Sequence, residues 1–159
     1  RRLVKLLSQD AQLGITRLAE MMEISVPTVR TRLRNLLDRN LLKITGLLNL
    51  TERPELISAI VGVNAQGRGR AREIARRIAE LPFVNSASVV TGRFDIIVDV
   101  VVAGDVADLC RVTSELIPAV GDLGEIVRTE TFVVMASCNK WVNLPEGCWS
   151  ESTEVPVSE

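Results

Sequence analysis

Histidine is missing from the whole chain. Without an imidazole, general acid–base chemistry near neutral pH and most metal sites fall to carboxylates, lysine or cysteine. These do not cluster along the sequence, so neither a catalytic nor a metal centre is expected. Cysteine is scarce as well. Cys110, Cys138 and Cys148 are odd in number, widely separated and in no CxxC arrangement, which supports neither a disulfide framework nor a zinc site. A reducing, cytoplasmic setting fits that usage. No apolar run approaches the roughly 20 residues needed to span a bilayer, and no signal peptide is expected before the first domain. The expectation is a soluble protein with no membrane partner and no cofactor.

What is present is divided unevenly. The formal net charge is −1, yet residues 1 to 50 hold nine bases against four acids and the remainder ten bases against sixteen acids. A basic small domain joined to an acidic larger one points to a polyanionic partner for the first and another task for the second. A surface that is basic only for solubility is the competing explanation.

The opening RRLVKLL reads as the interior of a helix without a capping residue, so the natural N-terminus is expected upstream of Arg1. Leu3, Leu6 and Leu7 share one face of that helix, and Ser8, Gln9 and Asp10 close it. Ile15, Leu18, Ala19 and Met22 repeat at helical spacing after Gly14. A third helix is marked by Ser25 as N-cap, Pro27 in the first turn and an apolar stripe of Val29, Leu33, Leu36 and Leu37. Asn40 suits the left-handed conformation that ends it. Three short helices, the last two joined by Glu23-Ile24-Ser25, have the layout of a helix-turn-helix. The apolar run Leu41 to Leu50 either forms a small wing or enters the linker.

Polar, proline-bearing TERPE marks a boundary, so residues 1–50 read as the helix-turn-helix domain and 51–57 as a linker. Strands are expected over Ser58–Ala65, Ser86–Thr91, Asp95–Val102 and Glu125–Ala136, and helices over Gly69–Leu81 and Val106–Ile117. This βαββαβ order is the ferredoxin-like plan, so the fold class is α+β, with residues 58–144 as the second domain. Such a sheet leaves one face uncovered. Ile96-Ile97-Val98 and Phe132-Val133-Val134-Met135 would make it greasy, which predicts a homodimer. Residues 145–159 hold four acids and no base and read as an unstructured tail, with Trp149 loosely attached and Trp141 at the domain edge.

Each residue of a helix advances about 100° around its axis. With Val29, Leu33 and Leu36 inward, Pro27, Thr31, Arg34 and Asn35 lie opposite, flanked by Thr28, Arg30 and Arg32. A recognition helix meets base edges with its first turns, while guanidinium groups at its borders bind phosphates. Ser25, Pro27, Thr28 and Thr31 are therefore expected nearest the bases. Arg30 or Arg34 suits a bidentate contact to guanine, and Arg32 and Lys43 suit the DNA backbone. A solvated polar helix face is the bland alternative.

From Gly14 to Leu48 the run GITRLAEMMEISVPTVRTRLRNLLDRNLLKITGLL resembles the winged helix-turn-helix of Lrp/AsnC-type (leucine-responsive, feast/famine) regulators. VVTGRFDIIVDV, followed by a helix and then VRTETFVVMAS, is similar to the family's ligand-sensing αβ module. Almost the whole chain to about Trp141 is covered. The resemblance implies a transcriptional regulator whose dimers assemble further, to tetramers or octamers, and whose promoter binding responds to an amino acid or related metabolite. It also places the effector at the turn Thr91-Gly92-Arg93-Phe94-Asp95, at the contact between subunits, with Val89, Thr131 and Phe132 as further contacts. A glycine there lets backbone N–H groups approach a carboxylate, and Asp95 suits an α-ammonium group. Equally, Gly92 and Asp95 simply build a hairpin turn. The chain departs from the family where Asn40 replaces the usual glycine and where the linker lacks its common aromatic and glycine positions.

Gly67-Arg68-Gly69 imitates a dinucleotide-binding loop, but Arg72 stands where the third glycine or alanine belongs. Arg68, Arg70, Arg72, Arg76 and Arg77 read as a solvated helix face or a second DNA-backbone contact. Two rival functions stand beside the regulator. Siroheme decarboxylases resemble the same two-domain architecture but use histidine, which this chain lacks. The other rival is a sensor or interaction module whose helix-turn-helix no longer binds DNA.

Overall fold

The computed structural model describes residues 1–66, 68–119 and 126–143. Gly67, Glu125, the tail 145–159 and Trp149, on which some of the expectations above rest, lie outside the described residues. The chain divides into two compact units, Arg1–Gly46 and Leu47–Glu159.

The first unit holds three helices, α1 (Arg2–Gln9), α2 (Ile15–Met22) and α3 (Val26–Asp38). Their apolar positions recur at helical spacing, so Leu3, Leu7, Leu18, Ala19, Met22 and Val29 meet in one buried cluster. The turn from α2 to α3 is made by Glu23 in the left-handed conformation, at φ 56°. Its N–H donates to the carbonyls of Ala19 and Glu20, and that of Ile24 donates to Ala19 at 3.1 Å, so the carbonyls left open at the helix end are satisfied. Asn40 does the same for α3. It has φ 51°, and the N–H of Leu41 closes on the carbonyl of Leu36 at 2.9 Å. The apolar stripe of α3 is narrower than expected. Val29 is buried and Leu33 and Leu36 are half-buried, but Leu37 is 38% exposed because it lies about 80° around the axis from Val29.

The chain runs irregularly from Leu42 to Leu47 and enters a two-residue strand, β1 (Leu48–Asn49). In the second unit follow β2 (Leu56–Ala65), α4 (Ala71–Ala79), β3 (Val84–Val89), β4 (Ile96–Ala103), α5 (Val106–Ala119), β5 (Ile126–Val133) and β6 (Trp141–Val142). The stretch 51–57, expected as a linker, carries part of a 3-10 turn (Leu50–Glu52) and the start of β2. Four strands form an antiparallel sheet in the order β3-β4-β2-β5, the ferredoxin-like arrangement.

Side chains alternate across the pleat. Ala59, Val61 and Val63 of β2 and Ile96, Val98, Val100 and Val102 of β4 therefore pack on one face against Ala71, Ile74, Ala75 and Ile78 of α4 and Leu109 and Leu116 of α5. The other face is not wholly bare. β1 pairs with β6, Leu48 opposite Val142, and Leu50, Val101 and Val142 form a second buried cluster. That explains the near-continuous apolar run of β4, broken only by Asp99: at Val101 both faces are covered. The remainder of this face leaves Ile60 37% and Phe132 44% exposed.

Candidate nucleic-acid interface and effector pocket

Helix α3 is held at its N-terminus by Ser25, whose Oγ accepts the N–H of Thr28 at 3.4 Å and lies 2.8 Å from the Thr28 hydroxyl. The cap engages both hydroxyls, and Thr28 is half-buried. The groups that stand outward over the first three turns are Pro27, Arg30, Thr31, Arg34 and Asn35, all exposed. Among the described residues Arg30, Arg32 and Arg34 form no ion pair, so three guanidinium groups remain available to an anion. Arg32 is also exposed, but turns toward the rim of a groove of about 350 Å³ shared with Arg39, Asn35 and the N-terminal end of α1. Lys43 is exposed on the irregular segment after α3.

In the second unit the β3–β4 hairpin creates a small concavity. Val89, Val90, Thr91, Gly92 and Asp95 line about 140 Å³ together with Ala71 at the start of α4. Gly92 has φ 140°, a conformation open to glycine and costly for other residues, while a Cβ there would touch nothing. Its requirement is thus the turn itself. Asp95 anchors that turn. Its Oδ2 accepts the N–H of Ala65 at 3.0 Å, its own N–H donates to Val63, and its carbonyl accepts Val90 at 2.9 Å. Oδ1 has no hydrogen-bond partner among the described residues.

The structure gathers Val89, Thr91, Gly92 and Asp95, whereas Arg93, Thr131 and Phe132 stand elsewhere in the single chain. Arg93 turns to the open face of the sheet, where its guanidinium lies 2.9 Å from Glu130 and 5.5 Å from the ring centroid of Phe94. Phe132 opposes Ile60 on that same face and meets Phe94 edge-on, with 6.2 Å between centroids. Thr131 lies on β5 opposite Val61, with β2 between it and β4.

Three features escaped the sequence reading. Ala71 lines the concavity. Phe94 lies over Gly62, where a Cβ would come within 2.7 Å of the ring. Lys140 reaches Ser58 and Asp99 beneath β6. A lone glycine inside an apolar strand was the available signal for the second. Nothing local announces the first or third.

A three-helix unit with an outward arginine face, followed by a ferredoxin-like unit with a hairpin pocket, defines a DNA-binding protein coupled to a ligand-binding domain. The Lrp/AsnC ligand binding domain matches residues 58–140, just over half the chain, and a winged helix-turn-helix DNA-binding domain matches residues 1–43. The chain belongs to the Lrp/AsnC family and is a transcriptional regulator of that type. One similar protein is an uncharacterised HTH-type transcriptional regulator of Pyrococcus furiosus, 27% identical over 89% of this chain and 92% of its own length. A second from the same organism is 34% identical over 62% of this chain and 66% of its own length. Among solved structures, the leucine response regulatory protein of Mycobacterium tuberculosis aligns over 85% of this chain and 89% of its own, with TM-score 0.72 and 21% identity. A transcriptional regulator from Neisseria meningitidis in complex with L-Met aligns over 87% and 89%, with TM-score 0.64 and 18% identity. Among the described residues no helix is long and apolar enough to cross a membrane.

Proposed function

We propose that this chain is a cytoplasmic, non-enzymatic regulator that binds promoter DNA as a dimer or higher oligomer and responds to an amino acid. The observation that carries the DNA half is the outer face of α3, where Pro27, Arg30, Thr31 and Arg34 are exposed and the two arginines form no ion pair among the described residues. Pro27 and Thr31, with the Ser25–Thr28 cap, face base edges. Arg30 or Arg34 takes a guanine edge, and Arg32 and Lys43 neutralise phosphates. A symmetric dimer would set two such helices in successive major grooves, with half-sites about one helical turn or a multiple apart. The exposed Ile60 and Phe132 on the open sheet face support self-association.

The hairpin concavity supports the sensing half. Its volume of about 140 Å³ suits a small polar group such as the charged head of an amino acid. The unused Asp95 Oδ1 suits the α-ammonium, and the Thr91 hydroxyl and Gly92 N–H suit the carboxylate. Val89 borders the same space, while Arg93, Thr131 and Phe132 join only if subunit packing brings them near. The L-Met complex of the Neisseria protein is consistent with this class of effector. A ligand alters DNA affinity only by favouring one assembly over another. Sedimentation with each amino acid, alongside gel-shift of a genomic fragment pool, tests the proposal. Coupled changes in both are expected; sedimentation indifferent to every amino acid would remove the sensor.

A further inference from the structure

Five of the ten basic residues after Leu50 fall within ten consecutive positions, Arg68, Arg70, Arg72, Arg76 and Arg77, with Glu73 the one acid among them. The rest of that half holds five bases against fifteen acids. A positive island therefore sits in a strongly negative surround. It folds as a 3-10 turn, Arg68–Arg70, leading into α4. Ala71, Ile74, Ala75 and Ile78 face the core, which leaves Arg72 and Arg76 exposed on the outer side, one turn apart. Arg77 is paired with Glu73. Arg72 and Arg76 form no ion pair among the described residues.

A helix face that serves only solubility gains from opposite charges at i and i+4, whereas like charges there repel. Two arginines one turn apart that, among the described residues, pair with neither Glu73 nor Glu80, in a unit rich in acids, are arranged for an external polyanion. Their Cβ atoms stand about 5–6 Å apart, and a DNA strand offers a phosphate about every 3.4 Å along the axis. α4 also covers the sheet face opposite Ile60 and Phe132, so a dimer closed through the open face leaves Arg72 and Arg76 outward.

We infer that Arg72 and Arg76 make a second, sequence-independent contact with the phosphate backbone of DNA bound by the same protein. The inference rests on the DNA-binding reading of α3 and deepens it. The test uses the full chain as wild type, R72Q/R76Q and R72K/R76K, with binding measured across a salt series on a duplex several helical turns long. R72Q/R76Q should lower the salt slope by about two, the single variants by about one each, and the lysine pair should keep the wild-type slope. Thermal melting followed by circular dichroism confirms that each variant is folded. A wild-type slope in R72Q/R76Q overturns the contact and leaves the role of α3 standing. Failure of the wild type to bind DNA at low salt overturns both.

Discussion

The Nζ of Lys140 lies 2.7 Å from Oδ1 of Asp99 and 2.9 Å from the Ser58 hydroxyl, while Asn85 donates to the other Asp99 oxygen at 2.9 Å. The two charged side chains are only 24% and 20% exposed. Leu48 of β1 pairs with Val142, two residues past Lys140, so this ion pair ties the strand through which the chain enters the second unit to the middle of β4. Lys140→Met leaves a largely withdrawn carboxylate short of its cation and should cost about 2 kcal/mol. The readout is the urea midpoint of the second unit. Restoring part of the loss with Asp99→Asn in the same chain would identify the stranded charge as the cause; an unchanged midpoint would reduce the pair to the worth of an exposed one.

On α3, Arg32→Ala should weaken binding to every DNA sequence and lower the salt slope by about one. Arg30→Ala or Arg34→Ala should instead relax preference at one base pair, at about 1–3 kcal/mol. Competition binding with randomised sites separates the two patterns. If Arg32→Ala altered sequence preference alone, its assignment to the backbone would be wrong.

Asp95 allows structure and sensing to be separated. Asp95→Asn keeps an oxygen to accept the Ala65 N–H but removes the negative charge. Calorimetric titration with amino acids should show the response lost while the melting temperature changes little. A retained response would assign the carboxylate to the turn alone.

Asp105 and Asp108 cap the start of α5. Asp105 accepts the N–H groups of Ala107 and Asp108, and Asp108 accepts the N–H of Asp105 at 3.1 Å. That backbone hydrogen bond, followed by the one from Arg111, lowers the Asp108 pKa below its ordinary 3.8. A lowered carboxyl stabilises the fold above the ordinary value, and the contribution is lost as pH falls through the native one. Asp108→Asn should therefore flatten the acid limb of stability below about pH 4, measured by urea midpoints across an acid series. An acid limb identical to wild type would contradict the assignment.

The elements that were legible are those whose cues are local. Ser25, Pro27 and Asn40 mark both ends of α3 within a few residues, and alternation in β2 and β4 shows which side chains meet the helices. The outward set on α3 follows from the helical angle alone, although Thr28 proved to be held by its cap and Leu37 by no core. β1 and β6 were invisible because two residues carry no period, and their pairing joins positions more than ninety apart. Residues 86–91 were expected as a strand, but β3 spans Val84–Val89. The turn consequently begins earlier, and Val90 and Thr91 become pocket wall. Arg93 does not line the concavity: its guanidinium pairs with Glu130 on the open face, where Phe94 is seated on Gly62.

The most direct measurement is fluorescence-anisotropy binding of the purified protein to its own upstream DNA and to a genomic fragment library across a salt series, with and without amino acids. Tight, salt-sensitive and sequence-selective binding that shifts with at least one amino acid is the expected result. No binding at low salt would contradict the DNA-binding role assigned to α3.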